Sequence, residues 1–377
     1  MTDHTSTIEP TAAPRTLTVP TAAAPVRSEE VDWALGPGSV TWEVMKDPAV
    51  FLVGLLREAI LLTLHPPFAA AAIDHDSFLD DPVMRFRRVA MYAYSATYGT
   101  KADAERVSAM VRRRHFQIVG VEPLSGEPYR ADSEYELALT QAMLAASFLA
   151  VYEEVHGRLS TARRDQFLME QKVPAALLGV PPEHMPSTWG DLQRFLARAR
   201  DGFATGYQAR EIIDPFSRGS YPPGSVLGDL PTLKRQAAMW LIRAIADMAI
   251  LTMNDEERAL LAIDRRPKLR SQAAIRLSLR ALSRYLRSEK GTLAFEGFVK
   301  ANTAKIMRRA FEVDRKPGRR AREKAFRVPD AAGFVVQLPD LVHNWPGSRS
   351  IAEQPKPVEG PSAHETRAGA GRARRAG

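Results

Sequence analysis

From about Trp33 onward, polar and apolar positions along this chain repeat with the period of a helix, and no run shows sustained alternation. The clearest stretch is Asp80 to Gly120, which reads as two helices joined at a glycine. Asp80-Asp81-Pro82 caps the first, and Arg85, Arg88 and Tyr92 follow at i, i+3 and i+7, so two guanidinium groups share a face with an aromatic ring. In the second helix Val107, Val111, His115 and Ile118 recur at i, i+4, i+8 and i+11. His115 therefore lies on the apolar stripe and should point inward, while Arg112, Arg113 and Arg114 lie largely off it. Tyr98-Gly99-Thr100 supplies the break, with the glycine expected to end the first helix in a left-handed conformation. Folded back as an antiparallel hairpin, the pair would bring an inward histidine and two arginines to one cavity.

The remaining pattern is also helical. Gly36 to Pro48 reads as a turn and a short helix, and Asp47-Pro48 opens a helix from Ala49 to Leu64 that is apolar nearly all round and therefore central. His65 sits at its end, an alanine run forms a short packed helix, and His75 falls in a polar loop. After the hairpin, Val121 to Arg130 reads as a loop. Asp132 or Ser133 caps a helix through Tyr152, Ser160 caps another in which Pro174 marks the end or a kink, and Ser187 or Thr188 caps a third. Residues 214–231 form the longest irregular connection. Leu233 to Met253 is a strong helix with Trp240, Leu241, Ile245, Met248 and Leu251 spaced for burial; one or two helices follow over 256–287 and another, with a basic face, over 292–312. The fold class is all-α: a single large multi-helix domain with disordered termini. Residues 1–32 are polar and proline-rich, 33–287 carry the helical domain, 288–325 a basic helical extension, and 326–377 a loosely ordered basic tail.

Composition narrows the chemistry. With 377 residues, 45% of them hydrophobic, the chain can fill a large core, and the absence of cysteine excludes disulfides, iron–sulfur clusters and a thiolate haem ligand. A histidine ligand stays open. The net charge of +8 resides entirely in the last third: residues 1–250 hold 25 Lys and Arg against 30 Asp and Glu, residues 251–377 hold 27 against 14. The basic balance therefore says nothing about the hairpin, and aromatic interleaving among the late arginines is confined to Tyr285, which argues against a nucleic-acid partner. No targeting segment is evident. Ala49 to Ile73 comes nearest to a membrane span, but Arg57, Glu58, His65 and Pro66-Pro67 interrupt it, so no transmembrane segment is expected and the cytoplasm is the expected location.

Each candidate residue has an ordinary reading beside the chemical one. A lone histidine on an apolar stripe is commonly a core residue bonded to a carbonyl; a neutral buried imidazole is also a good iron ligand. Arg85 and Arg88 either pair with acids such as Asp80 or Glu105, or hold the carboxylates of a bound group. His65, His75 and His115 could in principle share a nonhaem metal, although no close His/carboxylate pair lies on one helix.

The order of segments is similar to a known family. Gly36-x-Gly38-Ser39 before Trp42, an apolar helix into His65-Pro66, His75-Asp76-Ser77, Asp81-Pro82 into Arg85, Tyr98-Gly99, then His115 with Val119-Gly120 and Tyr129-Arg130-Ala131 resemble the MpaB/rubber oxygenase family over roughly residues 34–285. The resemblance implies an all-α, haem b-dependent oxygenase with His115 as proximal iron ligand, Arg85 and Arg88 placing the haem propionates or the distal pocket, and O2 and an apolar small molecule as substrates. Where the rubber oxygenases carry Arg-x-x-Lys-Thr, this chain reads Arg85-Phe86-Arg87-Arg88-Val89. An always-charged arginine replaces a lysine that can deprotonate, and a hydroxyl is lost, so polyisoprene cleavage does not carry over. Leu64 stands where many members have Gln, and Leu139-Thr140-Gln141 where many have Trp-Val-His. The alternatives are a haem-free helical binding or scaffold protein of the same fold and a basic interaction protein working through the C-terminal third.

Overall fold

At the centre of the molecule is α2 (Pro48–Leu62), buried along nearly its whole circumference as its composition requires. Asp47 caps it by accepting from the Ala49 amide at 2.9 Å, and Pro48 starts the first turn where its missing N–H costs nothing. The structure, a computed structural model, describes residues 17–20, 32–75, 80–218, 221, 223–261, 269–315 and 333–336. All of these belong to one compact unit within residues 1–338. The termini expected to be disordered lie outside the described residues except for Asp32 and a strand, β1 (Leu17–Pro20), which pairs antiparallel with β4 (Gly333–Val336).

In chain order the other elements are α1 (Val40–Met45), α3 (Pro66–His75), α4 (Pro82–Tyr98), α5 (Lys101–Phe116), β2 (Val119–Val121), β3 (Pro128–Arg130), α6 (Glu134–His156), α7 (Thr161–Leu177), a 3₁₀ turn at Pro182–His184, α8 (Trp189–Arg200), α9 (Tyr207–Arg218), α10 (Thr232–Leu251), α11 (Asp255–Leu260), α12 (Leu269–Leu286), α13 (Glu289–Val299) and α14 (Ala301–Arg315). The fold is all-α apart from these two short strand pairs.

α6 packs along α2, and the Phe51 ring lies 5.6 Å from Phe148, 4.7 Å from Tyr94 and 5.4 Å from Phe86. α10 and α12 also pack on α2. Beyond residue 287, α13 and α14 pack on α4 and complete the same core, with Phe295 and Phe311 against Tyr94 and Tyr98. α6 is long and apolar enough to cross a membrane, yet 72% of its apolar window is buried inside the fold, and the chain bends by 106° between α2 and α3 at the break before Pro66. The pattern of α6 is thus accounted for by a core helix wrapped by others.

Several local expectations are corrected. Residues 119–130 are a hairpin, not a loop; strands of three residues are too short to show alternation. His75 ends α3 and does not lie in a loop, and α9 runs to Arg218 through Pro215, well inside the connection expected at 214–231. Pro174 lies in the last turn of α7, close to the end that it was expected to mark. On α10, Ile245 and Met248 are buried as expected, whereas Trp240 and Leu241 are exposed and Leu251 is half-buried. Once one face of α10 meets α2, the apolar residues on its other side have nothing among the described residues to cover them.

Candidate functional site

The hairpin expected to carry the chemistry forms. Asp81 caps α4 by accepting from the Met84 amide at 2.9 Å, and Thr100 caps α5 in a reciprocal box with Asp103. Gly99 between them is extended (φ −79°, ψ 168°) and not left-handed. The glycine is needed for space: a Cβ there would sit 2.3 Å from the Ser95 carbonyl oxygen. The segment before α1 ties the turn down, with the Ala34 amide donating to the Gly99 carbonyl at 3.0 Å and the Lys101 amide to the Asp32 carbonyl at 2.8 Å.

The far end of the hairpin is held from the side by β2 and β3. Gly120 lies opposite Tyr129, and a Cβ on it would stand 2.4 Å from the phenol oxygen. That close approach lets the Tyr129 hydroxyl reach Asp74 on α3 at 2.7 Å. His75, on the same helix end, donates from Nε2 to the Val119 carbonyl at 2.8 Å, and Arg114 donates to the His75 carbonyl at 2.6 Å. α3, the strand hairpin and the end of α5 are therefore locked together around His115.

His115 is half-buried, and its Nδ1 is enclosed without a hydrogen-bond partner among the described residues. Burial, and then the neighbouring Arg85, pull its pKa down to about 4 against the opposing charge of Asp132. The ring is neutral near pH 7. Ile118, the last position of the expected stripe, lies past the end of α5. Arg85 itself is desolvated, which lowers its pKa to about 10, and its guanidinium carbon stands 5.7 Å from the centre of the Phe68 ring. Among the described residues, the acid whose charge acts on it is Glu58 on α2, where Asp80 or Glu105 was expected. Glu58 is buried, and the cost of ionising it there raises its pKa to about 8, opposed by Arg85. Arg88 is exposed, so the structure brings Arg85 to His115 but leaves the second arginine at the surface.

Sequence reasoning missed Glu58. The available signal was a carboxyl inside a helix apolar on every side: a helix with no polar face must bury it, and an acid buried so deeply has a shifted pKa. His65 is spoken for, bonded from Nε2 to both Glu136 carboxylate oxygens at 2.9 Å. Together with the bonds of His75, this leaves the three histidines without a common metal, and no group of three metal-ligating side chains occurs among the described residues. One enclosed imidazole nitrogen without a partner among the described residues, on a neutral ring beside a half-buried arginine, suits a group that takes a single protein ligand and carries carboxylates.

The comparison with protein families falls on this framework. The family model described as "ER-bound oxygenase mpaB/B'/Rubber oxygenase, catalytic domain" matches residues 42–287, a span that contains α2, the whole hairpin and both strands of the β2–β3 ribbon. The chain belongs to this family. No curated protein and no solved structure matches it. The matched span ends one residue after α12, so α13 and α14, which cover the outer side of α4, lie beyond it. As an oxygenase family it implies a small-molecule substrate and O2.

Proposed function

We propose that this oxygenase-family protein is haem b-dependent and acts with O2 on an apolar organic substrate. The observation that carries the reading is the half-buried His115 imidazole, neutral near pH 7, whose enclosed Nδ1 has no partner among the described residues and which lies beside Arg85. In it His115 is the protein's ligand to iron, and Arg85 holds a propionate through charge-assisted N–H donors. Arg88, exposed on the same face, stands at the rim. When bound, the haem supplies the oxygen chemistry. The chain's own work is to hold the imidazole neutral and to keep a cation partly desolvated next to it. Glu58 gives the site a carboxyl that can hold a proton near neutral pH, within the field of Arg85.

The test is the absorbance spectrum of protein expressed with a haem precursor, compared with His115→Ala. A Soret band that shifts or vanishes in the variant is expected. A wild type that stays colourless after haem titration would sink the haem reading and leave a helical binding scaffold of the same fold.

A further inference from the structure

On the side of α2 occupied by α10 and α12, the molecule presents an apolar surface that nothing among the described residues covers. On α10, Leu233, Ala237, Trp240 and Ala244 follow at i, i+4, i+7 and i+11 with Leu241 beside them, and Leu233, Trp240 and Leu241 are 79%, 73% and 48% exposed. On α12, Ala273, Leu277, Ala281 and Tyr285 form a second exposed row, with Leu277 70% and Tyr285 53% exposed. The two helices pack against each other and against α2. Their buried sides carry Ile245, Met248 and Ala249 on α10 and Leu279, Ser283 and Leu286 on α12. Both exposed rows therefore lie on the outer side of one helical layer.

Charge selects the occupant. α10 and α12 carry Lys234, Arg235, Arg243, Arg270, Arg276, Arg280 and Arg284 against a single acid, Asp247, which is engaged in an interaction of its own. Arg235 is bonded to the Gly228 carbonyl and Arg276 to Glu154, while Lys234, Arg243, Arg280 and Arg284 have no acidic partner among the described residues. A second copy meeting this face across a two-fold axis would set like charges together. The chain's own residues 316–377, with 12 Lys and Arg against 6 Asp and Glu, carry the same sign of charge and do not complement the face. A nucleic acid would use the cations but gain nothing from bare leucines. We infer that the α10/α12 face docks on an anionic lipid bilayer, its leucines reaching the acyl boundary, Trp240 and Tyr285 lying at headgroup level, and the arginines and Lys234 meeting lipid phosphates. Cations scattered along both helices demand no fixed register, which suits a fluid surface better than a folded acidic partner.

The test uses the full-length protein in vesicle flotation, with phosphatidylcholine alone and with about 30 mol% phosphatidylserine added. The expected result is capture by the anionic vesicles, lost at high salt. It should weaken at least about tenfold in Trp240→Ser/Leu277→Ser and in Arg280→Glu/Arg284→Glu, whose sites are exposed and whose fold is checked by circular dichroism. Absence of wild-type capture, or equal capture of the variants, overturns the inference. So does tighter binding of poly-glutamate than of vesicles, which marks an acidic protein partner, or a dimer in sedimentation that Trp240→Ser dissolves.

Discussion

Arg57 and Glu58 are neighbours on α2, both buried, and they meet opposite fates. Arg57 turns toward α6 and α11, donates to the Ser147 hydroxyl at 3.0 Å, and forms two bonds to the Glu257 carboxylate at 2.9 and 2.7 Å. Only its Nε is left without a partner. Beside the pair, Leu61, Leu64, Met143, Leu196 and Phe203 help line a pocket of about 20 Å³, enough for a water molecule and no organic substrate. Glu58 turns toward the α4–α5 hairpin, where it faces the half-buried Arg85 and burial raises its pKa to about 8. The Arg57 charge is matched by bonds; around His115, burial instead shifts the pKa values of Glu58 and His115, and His115 Nδ1 has no partner among the described residues. The difference separates two regions of the same core, one tied shut by bonds and one in which burial has displaced the protonation equilibria.

The largest effect should come from breaking the tied side. Glu257→Gln leaves the Arg57 cation buried without its counter-charge and is expected to cost about 3–5 kcal/mol of stability, read as a fall in melting temperature. Unchanged melting would mean that the pair contributes nothing net and the contrast with Glu58 collapses.

On the Glu58 side the expected signature is a pH dependence. The unfolded Glu58 ionises near 4.5 while the folded one resists until about 8, so the folded state keeps a proton that the unfolded state loses. Its contribution to stability is full below the ordinary carboxyl range and declines as pH rises through about 8. Glu58→Gln should flatten that decline, a difference on the order of a few kcal/mol across the window. Identical melting curves for wild type and variant from pH 5 to about pH 9 would place Glu58 in water, not in the protein interior. Arg85→Met should raise the pKa of His115 and raise that of Glu58 further, because Arg85 lowers both; titration by NMR reads the two shifts. A His115 pKa unmoved by this change would separate the two residues. The smallest effect is expected from Arg88→Ala, within about 0.5 kcal/mol in melting, since the side chain is exposed. A larger loss would bring Arg88 into the site after all.

Much of the helical framework was legible along the chain because its signals are local. Asp47, Asp81, Ser133, Ser160 and Thr188 each accept a bond from an amide two or three residues on, so a cap can be recognised without knowing the fold. The inward turn of His115 followed from helical spacing in the same way, and the order of weak motifs around it pointed to the family that the chain proves to belong to.

Tertiary structure decided what depends on partners distant in sequence. Which arginine is enclosed turned on α2 and α3: both Arg85 and Arg88 share a face of α4, yet only Arg85 meets Glu58 and Phe68. Trp240 and Ile245 sit on the same apolar helix, and only the packing of α10 on α2 settles that one is exposed and the other buried. The α13–α14 cover, basic in composition, contributes Phe295 and Phe311 to the core through α4. A sequence determines periodicity, caps and residue chemistry because those act within a few positions. It does not by itself say which side of a helix finds a neighbour, and that choice sets burial, and with burial the pKa values of Glu58, Arg85 and His115.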